Sequence, residues 1–149
     1  SGYGVYIKYM EYEEQIYGKL FGYKIKNIII ESNNENKISH QIIYDKEIEV
    51  KPTNNRAELI AMCILLLYLI ELKKSKLKEV KKIIIISDSL LTINTTTTWI
   101  HTWKAKNIIE SKKNPDIIQI LYDLIIKCKD EEINYELKHQ ESHLSKKTK

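Results

Sequence analysis

Two carboxylates stand where carboxylates are costly. Glu58, within T-N-N-R-A-E-L-I-A at 53–61, falls on the apolar stripe that Met62, Leu65, Leu66 and Leu69 continue at helical spacing. Asp88, within S-D-S at 87–89, follows directly on four isoleucines at 83–86. A carboxylate taken from water must be satisfied by a cation or by donors. Each acid also has a plain structural reading. Glu58 in a first helical turn complements the helix dipole and can snorkel outward, and Asp88 can open a turn or cap a helix beginning near Leu90. Read together they point to chemistry, because a helix packed beside a central strand can bring both to one edge. Paired carboxylates there suit a divalent metal, which takes oxygen ligands and cancels their repulsion. The carboxyl end of a central strand is also where open α/β sheets place their ligand sites.

A second group of residues suits contact with a polyanion. Trp99 and Trp103 are four apart and share a helix face, beside Lys104 and Lys106. Such a face either packs into a core or, exposed, stacks on sugars while the lysines hold phosphates. Formal charge is +4, with lysine clusters within 73–82, 104–113 and 138–149. That balance permits a nucleic-acid partner without requiring one, since lysines on solvated faces give the same charge. Arg56, inside the first motif, is the only arginine in the chain.

The elements that must position these residues follow from the pattern. The chain's 149 residues, 43% of them hydrophobic, suffice for one domain with a real core. Strands are expected at 3–12, 15–26, 27–31 and 41–50, with S-N-N-E-N-K at 32–37 as a loop. Asn54 or Asn55 can cap a helix reaching about Lys74. K-K-I-I-I-I-S at 81–87 reads as a central strand apolar on both faces, with helices above and below. A helical stretch at 90–104 follows. Asn114 as cap and Pro115 at the first position open a helix whose Ile117, Ile118, Leu121, Leu124 and Ile125 form one face to about Cys128. A final strand is expected at 132–139. The order implies a mixed sheet with helices packed on it. Cys63 and Cys128 each sit in apolar helical pattern and read as buried thiols of a reducing compartment. No apolar run approaches the roughly 20 residues of a membrane span, and no secretory signal pattern opens the chain, so a soluble intracellular protein is expected.

With the motifs in view, the chain resembles the ribonuclease H family. T-N-N-R-A-E-L-I-A at 53–61 is similar to that family's T-N-N-R-x-E-L-x-A segment, and S-D-S at 87–89 to its T-D-S after a hydrophobic strand. T-T-W-I-H-T-W-K at 97–104 resembles the tryptophan-bearing helix that faces the DNA strand. N-P-D-I-I at 114–118 resembles the start of the next helix, and I-N-Y-E-L-K-H-Q-E-S-H at 133–143 a terminal strand entering a loop with a functional histidine. The opening G-Y-G-V-Y-I-K-Y is similar to the family's second strand. The stretch 13–50 matches least and is expected to hold an enlarged hairpin.

The resemblance implies an α/β fold with a ribonuclease H-like mixed five-stranded sheet flanked by helices. It implies hydrolysis of the RNA strand of RNA/DNA hybrids by an endonuclease that uses two Mg²⁺ ions, with Mn²⁺ as an alternative. Glu58 and Asp88 become two members of a four-carboxylate metal cluster, the ions standing roughly 3.5 to 4 Å apart. His143 becomes the histidine that assists proton transfer or product release; His139 is its rival, with the plainer reading of a partly exposed strand residue. Thr53, Asn54 and Asn55 resemble contacts to the minor groove and a DNA phosphate, Asn114 a phosphate-pocket residue, and Trp99 and Trp103 contacts to the DNA strand. The family's D-G-S strand and A-D-x-L-A helix, which carry the other two acids, have no counterpart in 1–149. The single domain is therefore expected to be incomplete at both ends and to belong to a longer polypeptide with further domains. Two alternatives remain open: a partner chain supplies the strand, or the module is catalytically inactive and serves to bind nucleic acid or build an assembly.

Overall fold

The computed structural model describes residues 1–33, 35 and 37–141, so His143 lies outside the described residues. The chain opens with two antiparallel hairpins. β1 (Gly2–Tyr9) turns at Met10, whose φ is 53°, into β2 (Tyr12–Lys19). β3 (Tyr23–Ser32) pairs with β4 (Ile38–Glu49), which is the enlarged hairpin expected of the poorly matched stretch. Side chains alternate on β1: Tyr3, Val5, Ile7 and Tyr9 face the core while Tyr6 and Lys8 face out. Gly18 stands opposite Tyr3, where a Cβ would collide with the tyrosine ring. The space is used, because the Tyr3 hydroxyl reaches His40 Nε2 on β4 at 2.6 Å, and His40 Nδ1 lies 3.0 Å from the Tyr68 hydroxyl on the following helix.

That helix, α1 (Asn54–Leu72), is the centre of the molecule. Ile60, Cys63, Ile64 and Leu66 are fully buried in it, and it packs against β1, both strands of the second hairpin and the last helix. It is buried around most of its circumference, as a helix covered on several sides must be. Thr53, rather than Asn54 or Asn55, is its cap, with Oγ1 accepting from Arg56 N–H at 3.2 Å.

β5 (Ile83–Ser87) pairs in parallel with β6 (Tyr135–His139), joined by a long helical crossover. The crossover holds α2 (Leu90–Asn94), a π-helical segment (Thr95–Trp99), α3 (Ile100–Ala105), a 3₁₀ turn (Ile109–Ser111) and α4 (Pro115–Asp130). The helix expected at 90–104 is thus one run with a widened turn. Thr96 and Thr97 hydroxyls donate to the carbonyls of Thr92 and Ile93 at 2.8 and 2.7 Å, competing with amides for those acceptors. Asn114 stands at the N-cap of α4 as expected, its carbonyl accepting from Ile118 N–H at 3.0 Å, but its backbone is left-handed, φ 62° and ψ 44°, and its side chain makes no cap bond.

Mixed α/β architecture is as expected, but the strands form three two-stranded sheets rather than one sheet of five. β5 also departs from its expected burial on both faces. Ile85 is buried, whereas Ile84 and Ile86 are 46% and 60% exposed, because nothing among the described residues covers that side. No helix among the described residues is long and apolar enough to cross a membrane.

Candidate active site

The β1–β2 and β5–β6 sheets leave between them a groove of about 700 Å³ whose walls are residues 4–9 of β1 and all of β5. Its floor is α1, through Ala61, Met62, Leu65 and Leu69. β1 pairs only with β2 and β5 only with β6, so each wall is a strand edge with backbone N–H and C=O groups unpaired by any described strand. Glu58 and Asp88 both line this groove. The helix and the strand end thus place both acids on the lining of one groove.

Local structure fixes each acid. Glu58 is on the second turn of α1 and half-buried at the groove. Asp88 is exposed on the turn after β5, which is closed by Ser89 N–H donating to Ser87 Oγ at 3.0 Å and by Ser89 Oγ accepting from Thr92 N–H at 3.1 Å. Ser89 therefore caps α2, and Asp88 is relieved of that duty. His139, the last residue of β6 and paired with Ser87, brings Nε2 to 3.3 Å from the Asp88 carbonyl oxygen. The exposed strand-end histidine thus stands beside the acid-bearing turn.

The carboxylate oxygens of Glu58 and Asp88 suit a hard divalent cation. Their number falls short of a closed site, since no group of three or more His, Cys, Asp or Glu able to hold a metal occurs among the described residues.

Candidate substrate contacts occupy two neighbouring regions. Thr53, Asn54 and Asn55 are exposed at the start of α1. Trp99 is 38% exposed, while Trp103 is half-buried against the core with Lys112 Nζ 5.3 Å above its ring. The two indoles lie 6.2 Å apart and tilted by 33°, one presented to solvent and one supporting it.

Sequence reading missed Asp116. As the second residue of α4 it has the look of a dipole-complementing surface acid, yet its side chain is 5% exposed and pairs with Arg56, itself 1% exposed. Burial works to raise the Asp116 pKa, but hydrogen bonds from Arg56 and from the Ile25 N–H outweigh it and hold the carboxyl below its ordinary value. Ile25 N–H donates to Oδ2 at 2.8 Å, and Arg56 donates to Oδ1 and Oδ2 at 3.0 and 2.9 Å. The same guanidinium donates to Asn114 Oδ1 at 3.2 Å, so the Asn114 side chain is held by α1 instead of capping α4. The one arginine in a lysine-rich chain was the available signal.

Comparison with curated proteins gives no match. A protein-family model described as RNase H matches residues 25–148, a stretch that contains both groove acids, the tryptophan helix and Asn114.

Proposed function

Because the chain belongs to the ribonuclease H family, we propose that it hydrolyses the RNA strand of RNA/DNA hybrids as a metal-dependent endonuclease. The observation that carries this reading is the convergence of Glu58 and Asp88 on one groove. Their carboxylates would hold divalent ions, two Mg²⁺ or alternatively Mn²⁺. Ions held so supply an activated water and a stabilised leaving oxygen for phosphodiester cleavage. The residues around them bind and orient. Thr53, Asn54, Asn55 and Asn114 offer neutral donors to the nucleic-acid backbone. Trp99 and Trp103 form a surface for the DNA strand, and lysines beside them supply positive charge without reading sequence. His143 is assigned proton transfer or product release, with His139 beside Asp88 as the residue positioned to take that part otherwise.

The groove itself supports the finer fold reading. A strand seated between β1 and β5 would pair both edges, join two of the small sheets into one mixed sheet of five strands, and could bring a further carboxylate beside Glu58 and Asp88. The second reading, a module that binds hybrids without cutting them, is favoured by the absence of a three-acid cluster among the described residues.

Two measurements separate these readings. Hybrid cleavage by the full polypeptide in Mg²⁺ is expected to be abolished by Asp88→Asn and by Glu58→Gln, and undiminished cleavage by either variant would sink the assignment. Mn²⁺ added to the chain is expected to broaden NMR signals around Glu58 and Asp88 selectively, and the effect should vanish in Asp88→Asn. Tight hybrid binding with no such broadening and no cleavage would establish the binding module instead.

A further inference from the structure

We propose that Arg56 is a positioning residue that sets both the place and the polarity of the phosphate contact at Asn114. The inference rests on the reading above, in which Asn114 touches the nucleic-acid backbone. The Arg56 Nη1 donates to Asn114 Oδ1 at 3.2 Å. The rest of the guanidinium is anchored, bidentate to Asp116 and within 3.4 Å of the Tyr23 carbonyl oxygen. Asp116 in turn accepts from the Ile25 N–H. One buried side chain therefore ties the start of α1, the start of α4 and the base of the β3–β4 hairpin.

Polarity is the sharper consequence. A guanidinium has five N–H donors and no acceptor. The Asn114 amide must therefore turn its oxygen toward Arg56, which leaves the NH₂ group as the face available to a ligand. The candidate contact is thereby set as a donor, the polarity that a phosphate needs. Without the arginine, the Asn114 amide could rotate and offer an acceptor, which a phosphate oxygen repels. Lysine cannot stand in. Its single ammonium is a point charge on a flexible stem, unable to be bidentate to Asp116 while reaching Asn114. That requirement accounts for the one arginine among 24 Lys and Arg residues.

The test is equilibrium binding of a short RNA/DNA hybrid without added Mg²⁺, so that the duplex stays intact. Asn114→Ala is expected to weaken binding about tenfold, the worth of one hydrogen bond to a charged group. Arg56→Met combined with Asp116→Leu replaces the buried pair by apolar groups, an exchange that such sites often tolerate. This paired variant is expected to lose the same factor, and adding Asn114→Ala to it should cost nothing more. A merely structural role for Arg56 would give losses that multiply. Arg56→Lys, which keeps a charge beside Asp116 but loses the bidentate fork, is the second variant and is expected to weaken binding while lowering thermal stability less than Asp116→Ala does. Wild-type binding by either Arg56 variant, with Asn114→Ala impaired, would overturn the positioning role alone. Unchanged binding by Asn114→Ala would overturn the phosphate contact and the positioning role together.

Discussion

The pair of Arg56 and Asp116 shows how unequal the two ways of removing a buried charge are. Deleting only the carboxylate leaves a guanidinium 1% exposed with its strongest partner gone, so Asp116→Ala is expected to cost about 3 kcal/mol or more in urea unfolding. Acid should act on the same pair. The Asp116 pKa is lowered in the folded chain, so its contribution is complete above the carboxyl's ordinary 3.8 and is lost as pH falls through the lower folded value. His40 acts earlier. Burial lowers its pKa from 6.5, so the unfolded chain takes the proton first and stability declines as pH drops below 6.5. Urea midpoints followed against pH should show two declines, and His40→Gln should remove the upper one. A single decline in the native chain would mean that burial does not hold the His40 ring neutral.

At the level of elements, the contrast between Ile85 and Ile86 is the direct check on β5. Ile85 is 4% exposed and Ile86 60% exposed. Ile85→Ala is expected to destabilise by roughly 2 to 4 kcal/mol and Ile86→Ala by under about 0.5 kcal/mol. Equal large losses would show that both faces are covered. Periodicity located α1, β5 and α4 to within a few residues, because helical spacing at Ile117 to Ile125 is a local property, but it ran the expected strand 15–26 through the turn between β2 and β3 and split β3 at 26/27. It also singled out Glu58 and Asp88, whose chemistry conflicts with their neighbours. What the residues did not announce was set by distant partners. Asp116 looks like any acid at a helix start until Arg56, sixty positions away, is beside it. Asn114 looks like a side-chain cap until its oxygen is claimed by the same guanidinium. The π-helical turn coincides with hydroxyl-to-carbonyl bonds of Thr96 and Thr97, which leave no mark on an apolar pattern.

For the molecule as a whole, strand pairing was the hardest property to read, since a strand's neighbours depend on everything that folds around it. α1 packs against the two antiparallel hairpins, and the parallel pair β5–β6 stands as a separate sheet. Among the described residues β1 and β5 meet the groove with open edges, and Ile84 and Ile86 add an apolar flank to one of them. Open edges with β-branched side chains are templates for pairing with another copy. Light scattering from the chain at rising concentration is expected to grow steeply, and Ile86→Lys should suppress it by setting a charge on that flank; scattering indifferent to both would refute edge pairing. If scattering rises as expected, the same groove that is lined by two acids makes the chain a colloidal hazard, one whose shelf life depends on how dilute it is kept.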